Sequence, residues 1–125
     1  MKYLGIDFGL KRVGLAISEG QLASPWQILR VQNFKDAVDK TSKVIKEESF
    51  EIIIIGLPEG KIGKTVLKFV KALKKIGLDV ETADETLSSQ DALAQMIELN
   101  TSKKDRQESD ATAAAIILQN YLDNR

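Results

Sequence analysis

The sequence predicts an α/β fold, with a mixed β-sheet of about five strands and helices on both faces. Two observations predict it. Short apolar segments alternate with helical segments in the second half of the chain, which indicates right-handed crossovers and parallel strands. Residues 2–18 instead contain two apolar runs joined by a glycine-bracketed turn, the pattern of an antiparallel hairpin. A chain of 125 residues can bury one sizeable core, so we expect a single domain over residues 1–125.

The first half of the chain is predicted to form three strands, a helix and a fourth strand. Pro25 disfavours an interior position for the third strand but suits an edge strand, where a missing N–H is tolerated. Asn33 can cap the helix, and the four isoleucines Ile52–Ile55 are typical of a strand buried on both faces. The predicted bounds are strands Lys2–Phe8, Arg12–Ser18 and Ser24–Val31, a helix from Asn33 to about Ser49, and strand Phe50–Gly56.

The second half is predicted to form three helices and a fifth strand. The spacing of Val66, Phe69, Val70 and Leu73 is that of one helix face, and Gly77 suits a left-handed helix end. The predicted bounds are loop Leu57–Gly63, helix Lys64–Ile76, strand Leu78–Thr82, a helix from Ser88 or Ser89 to about Asn100, loop Thr101–Ser109 and helix Asp110–Leu122.

Composition excludes several classes of site. The chain has no Cys and no His, which excludes disulfides, thiol nucleophiles, Ser–His dyads and Cys/His zinc sites. Acid–base or metal chemistry must therefore use carboxylates, Lys, Tyr or water. No apolar run is long enough for a membrane span and no signal peptide is evident, so we expect a cytoplasmic protein without membrane partners.

Three acids are predicted to converge at one edge of the sheet. Asp7 ends the first strand, Glu85 follows the fifth, and Asp110 opens the last helix on its apolar stripe with Ala114 and Ile117. Each like-charge pair at about 4 Å would cost roughly 4 kcal/mol at an effective dielectric near 20. Such a cluster calls for bound cations or a raised pKa, and oxygen ligands favour Mg²⁺ or Mn²⁺. Each acid taken alone is as readily explained as a turn, loop or helix-start residue.

Cations are predicted to lie at the same edge. The 18 Lys and Arg balance the 18 Asp and Glu, so a polyanion site must come from local clustering rather than a global basic excess. Seven of the 18 cations fall in the predicted edge loops, which favours a phosphate-binding edge over a merely solvated surface. These candidate nucleic-acid-binding residues are Lys11, Arg12, Lys61, Lys64, Lys103, Lys104 and Arg106.

Four segments in order along the chain resemble the motifs of the YqgF/RuvX family, which comprises proposed Holliday-junction resolvases and nucleases of the small-subunit rRNA precursor. Together they span nearly the whole chain. The segments are Gly5-Ile6-Asp7-Phe8-Gly9 with Arg12-Val13-Gly14-Leu15-Ala16, Ile55-Gly56-Leu57-Pro58 with Gly63, Asp84-Glu85-Thr86-Leu87-Ser88, and Asp110-Ala111-Thr112-Ala113-Ala114 with Ile117-Leu118-Gln119-Asn120-Tyr121-Leu122.

The resemblance implies an RNase H-like fold with Asp7, Glu85 and Asp110 as catalytic, metal-binding acids. It implies a two-metal endonuclease that acts on structured RNA, with 5′-end processing of pre-16S rRNA as the expected task and the resolution of branched DNA junctions as the alternative. The expected assembly is a monomer or a homodimer. The family usually has Arg where this chain has Thr86, which bears on substrate grip and rate.

Two other functions fit part of the pattern. The segment from Asp7 to Leu10 also resembles the first phosphate loop of actin, heat-shock chaperones and sugar kinases. Those ATPases enclose their nucleotide between two such domains, whereas this chain has one copy of the hairpin. A nucleic-acid-binding module without turnover is the third hypothesis, and metal-dependent cleavage would distinguish the nuclease from it.

Overall fold

The computed structural model describes residues 1–84 and 103–124, with side chains of residues 103–109 left undescribed. Within these ranges the chain forms five strands and three helices. Their bounds are β1 Tyr3–Phe8, β2 Arg12–Ser18, β3 Ala23–Arg30, α1 Phe34–Glu48, β4 Ile52–Leu57, α2 Lys61–Lys75, β5 Val80–Asp84 and α3 Lys103–Asp123. None of the described helices is both long and apolar enough to cross a membrane.

The five strands form one mixed sheet in the order β3-β2-β1-β4-β5. β1, β2 and β3 pair as an antiparallel meander, whereas β1, β4 and β5 run parallel to one another. The predicted mixed sheet is therefore confirmed, with β1 at its centre. Because the carboxyl ends of β1, β4 and β5 meet at one edge, the segments that follow these strands emerge together there.

Each face of the sheet is covered by helices. α1 and α2 cover one face, where Leu4, Ile6 and Ile53 pack against Phe69 and other buried residues. α3 covers the other face, where Tyr3 and Ile54 pack against helix residues such as Leu118. Ile53 and Ile54 thus lie on opposite faces and are both buried, as expected for a strand within a parallel half-sheet.

Local signals place the first helix as predicted. The Asn33 side chain accepts a hydrogen bond from the Asp36 N–H at 2.8 Å, which caps the start of α1. At its end, Ser49 adopts a left-handed conformation and donates its N–H to Ile45. Gly77 follows α2 with a left-handed φ of 98° and donates its N–H to the Lys74 carbonyl, as predicted for a glycine at a helix end.

Four predicted elements have wrong boundaries. β4 is Ile52–Leu57 rather than Phe50–Gly56, because Phe50 still donates its N–H to Ile45 at the end of α1. α2 begins at Lys61 rather than Lys64, because Gly63 lies in its first turn and not in the preceding loop. β5 is Val80–Asp84 rather than Leu78–Thr82, because pairing with β4 begins only where the Asp79 carbonyl accepts a hydrogen bond from the Ile53 N–H. α3 begins at Lys103, so the predicted loop Thr101–Ser109 is helical from residue 103 onward. The helix predicted from Ser88 or Ser89 to Asn100 lies outside the described residues.

Candidate active site

Asp7 lies on the face of β1 that α3 covers. Side chains alternate along a strand, so Tyr3, Gly5 and Asp7 share one face. Tyr3 packs in the core beneath α3, and a Cβ at Gly5 would lie 2.7 Å from the Ala114 carbonyl oxygen. Asp7, one step further along the same face, is half-buried at the carboxyl end of the strand.

The same geometry brings Asp110 to this end of the sheet. Asp7 stands opposite Gly14 in the β1–β2 ladder, so the two residues project from the same face. A Cβ at Gly14 would lie 2.1 Å from the backbone oxygen of Asp110. The missing side chain of Gly14 thus lets α3 approach the sheet, and this contact places Asp110 beside the end of β1.

Asp110 forms an ion pair with Arg12, the first residue of β2. Arg12 Nε lies 3.1 Å from Asp110 Oδ2, with the two side chains 42% and 29% exposed. Burial raises the pKa of the Asp110 carboxyl above its usual value, and the Arg12 guanidinium opposes that rise. The predicted direction is therefore correct for Asp110, but burial rather than repulsion between carboxylates is the largest cause.

Glu85, the third predicted acid, lies outside the described residues. β5 ends at Asp84, which pairs with Leu57 at the carboxyl end of β4. No group of three potential metal-ligating side chains occurs among the side chains described for residues 1–84 and 110–124. Of the three predicted acids, Asp7 and Asp110 are described, and hard oxygen donors of this kind suit Mg²⁺ or Mn²⁺ rather than a softer metal.

Four predicted cations lie at the same edge with exposed side chains. Lys11 and Arg12 follow β1, while Lys61 and Lys64 occupy the first turn of α2 after β4. The other three cations lie in the first turn of α3, and their side chains are not described: Lys103, Lys104 and Arg106.

A further cation at this edge, not predicted from the sequence, is Arg30 at the end of β3. It stands directly opposite Arg12 in the β2–β3 ladder and is exposed. The sequence pattern alone does not reveal it, because its position opposite Arg12 depends on the register of β2 and β3.

Comparison with known proteins supplies a family and a set of relatives. The family model described as "RuvX: Holliday junction resolvase" matches residues 1–124. A protein of Desulforamulus reducens named as a proposed pre-16S rRNA nuclease is 34% identical, covering 99% of this chain and 98% of the relative. A Clostridioides difficile protein with the same name is 34% identical over 98% of this chain and 94% of its own length.

Solved structures with the same fold include two resolvases. The fowlpox virus Holliday junction resolvase superimposes with a TM-score of 0.65 at 14% identity, with full coverage of both chains. Thermus thermophilus RuvC in complex with a Holliday junction substrate gives a TM-score of 0.61 at 14% identity, covering 97% of this chain and 94% of RuvC. At this identity the likeness shows the fold alone, which is the RNase H-like fold.

Proposed function

The chain belongs to the RuvX Holliday junction resolvase family, and we propose that it is a metal-dependent nuclease that hydrolyses phosphodiester bonds in the 16S rRNA precursor. The observation that carries the proposal is the close approach of α3 to the hairpin at Gly14. This contact brings Asp110, which is distant in sequence, to the same face and edge of the sheet as Asp7. Relatives of nearly equal length named as pre-16S rRNA nucleases support the choice of substrate.

The two carboxylates would hold Mg²⁺ or Mn²⁺, with Glu85 as the third ligand. A divalent ion held there supplies an activated water and stabilises the charge that develops on the phosphate. The protein's part is to keep carboxylate oxygens fixed on rigid elements, one at the end of a central strand and one on a packed helix. Partial burial keeps bulk water from screening the charges of the site.

Arg12 has two roles in this proposal. It neutralises Asp110 through Nε, which offsets the cost of a half-buried carboxylate. Its guanidinium carries five N–H donors, so the terminal amino groups can also bind a phosphate oxygen next to the acids. Lys11, Lys61 and Lys64 would bind neighbouring phosphates, and a nuclease of ribosome maturation would act in the cytoplasm.

A four-way DNA junction is the second candidate substrate. The family's own description favours it, since the matched model is that of a Holliday junction resolvase. Symmetric cleavage of a junction requires two active sites, so this activity would require a homodimer.

The deciding experiment is a cleavage assay with two labelled substrates, a 16S precursor fragment that includes the 5′ leader and a synthetic four-way DNA junction. We expect cleavage of the precursor fragment that requires Mg²⁺ or Mn²⁺ and stops when EDTA is added. Asp7→Asn is the inactive control, because Asn keeps the shape of the side chain and loses its charge.

A matched control separates loss of the site from loss of one surface carboxylate. Asp39→Asn makes the same change at an exposed position in the middle of α1 and should cleave like wild type. Cleavage of the junction alone would favour the second substrate. Metal-independent cleavage, or equal activity of Asp7→Asn and wild type, would refute the proposed site.

A further inference from the structure

Two arginines face each other across β2 and β3 beside the candidate site. Arg12 is paired directly with Arg30 in this antiparallel ladder. Residues that oppose each other in this way have Cβ atoms about 5 Å apart, and like charges there are destabilising. A directly opposed arginine pair is therefore favourable only beside anions, of which Asp110 supplies one, to Arg12.

Both arginines project from the face that carries the acids. Val13 and Leu29 are opposite one another and pack into the core beneath α1 and α2. Because side chains alternate along each strand, Arg12 and Arg30 project from the other face, which is the one covered by α3. Arg30 thus extends the row of charged groups from Asp110 through Arg12 toward the β3 edge.

The two guanidinium groups differ in their partners. Arg12 is held by Asp110 through Nε at 3.1 Å. Arg30 is exposed, and among the side chains that the structure describes, those of residues 1–84 and 110–124, its guanidinium has no hydrogen-bond or ion-pair partner. Its backbone carbonyl is fixed, however, by a hydrogen bond of 2.7 Å from Lys40 Nζ. A positioned backbone with an uncommitted guanidinium suits the bidentate recognition of a phosphate.

We propose that Arg30 is a binding residue for a backbone phosphate of the nucleic acid, acting with Arg12 as a pair. This inference rests on the proposed nuclease function and adds the direction in which the bound nucleic-acid strand runs. The bound strand leaves the acids along the edge of the sheet, past the start of β2 and the end of β3. Lys61 and Lys64 lie on the opposite side of β1, after β4, and hold the other arm of the strand.

The test compares the affinity of Arg30→Gln and wild type for a fluorescein-labelled 16S precursor fragment, with EDTA present to prevent cleavage. Lys71→Gln is the matched control, since it removes one exposed positive charge from α2 on the other face of the sheet. Each phosphate contact contributes a slope of about 0.7 to 0.9 to the dependence of log affinity on log salt. The advantage of wild type over Arg30→Gln should therefore shrink about threefold between 50 and 200 mM salt.

Two further measurements separate binding from a structural role. Removing one of two opposed arginines should leave the melting temperature of the free protein unchanged or slightly raised. Arg30→Lys, which keeps the charge and loses the bidentate fork, should recover part of the affinity and all of the salt slope.

Other outcomes would overturn the proposal. If wild type binds the fragment and Arg30→Gln binds it equally well, Arg30 holds no phosphate. Self-association of that variant would then assign the arginine to protection of the exposed β3 edge. Absence of binding by wild type itself would overturn both this inference and the proposed function.

Discussion

A methyl group at Gly14 would collide with the backbone of α3, so Gly14→Ala should cleave nucleic acid far more slowly than wild type. The added Cβ would lie 2.1 Å from the Asp110 carbonyl oxygen and 2.5 Å from its carbonyl carbon, whereas ordinary contacts begin at 3.4 Å. These are backbone atoms, so no rotamer change relieves the collision, and the backbone of α3 or β2 must shift. A misplacement of about 1 Å can reduce catalysis by about 100-fold. We also expect a loss of about 1–3 kcal/mol in the free energy of unfolding, as for other overpacked cores.

Gly5→Ala is the control that separates displacement of the site from loss of stability. Its Cβ would lie 2.7 Å from both the Ala114 oxygen and the Leu118 Cβ, so it strains the same helix at one to two turns from Asp110. Urea melts should show similar destabilisation of both variants, and cleavage should be measured at a temperature where both are folded. Wild-type cleavage by Gly14→Ala, or an equal loss of activity in Gly5→Ala, would refute the role of Gly14 in placing Asp110.

Four other predictions concern the acids and cations of the site. Asp7→Asn should leave the metal-free melting temperature unchanged or slightly higher, because it removes a negative charge near Asp110; a clear drop would identify Asp7 as a turn residue. Because folding raises the pKa of the Asp110 carboxyl, its protonation contributes stability that is fully present below pH 3.8 and is lost as the pH rises through the raised value. Asp110→Asn should therefore flatten this part of the pH dependence of the free energy of unfolding, measured by urea melts. Arg12→Gln removes the cation that lowers this pKa, so the acid limb of the cleavage rate should move to higher pH; an unmoved limb would contradict the ion pair. The double substitution Lys61→Gln and Lys64→Gln should weaken binding of the precursor fragment and reduce the salt dependence of its affinity. Unchanged binding would show that these two lysines do not contact phosphates.

The sequence determines the sheet more clearly than the starts of its helices. Alternating apolar residues and a glycine turn predicted β1 and β2 to within one residue, and the run of isoleucines identified β4. The start of α3 was missed because residues 103–109 are polar throughout, so hydrophobic periodicity gives no signal. Lys, Arg, Gln and Glu are nevertheless good helix formers, and Lys104 and Glu108 stand at i and i+4.

The start of α2 differs from the prediction because of Gly63. Its position near Pro58 and Gly60 predicts a loop, yet Gly63 lies in the first turn of α2. A Cβ there would lie 2.5 Å from the Pro58 carbonyl oxygen, so glycine is needed for the close approach of this turn to the chain before it. Composition cannot distinguish a glycine that serves a turn from one that serves packing.

The candidate site was predictable where it depends on strand alternation and not where it depends on register. Side chains alternate along a strand, which predicts that Tyr3, Gly5 and Asp7 share one face of β1. The spacing of apolar residues along the last helix predicts that Asp110 lies on the helix face that packs on the sheet. The opposition of Arg12 and Arg30 depends on the length of the β2–β3 connection and on an irregularity between Leu15 and Ala16, neither of which the sequence pattern fixes.

The positions of the glycines explain why Asp110 lies beside the end of β1. Where α3 touches the sheet, β1 and β2 present Gly5 and Gly14, which have no side chain to hold the helix away. Asp7 is the next residue of β1 on this face beyond Gly5, at the point where the strand ends. The Asp7 carboxylate therefore follows directly after the part of the sheet that α3 approaches closely. Gly5 and Gly14 allow α3 to lie against the sheet, which places Asp110 beside the start of β2. The hairpin turn places Arg12 there as well, where it forms an ion pair with Asp110.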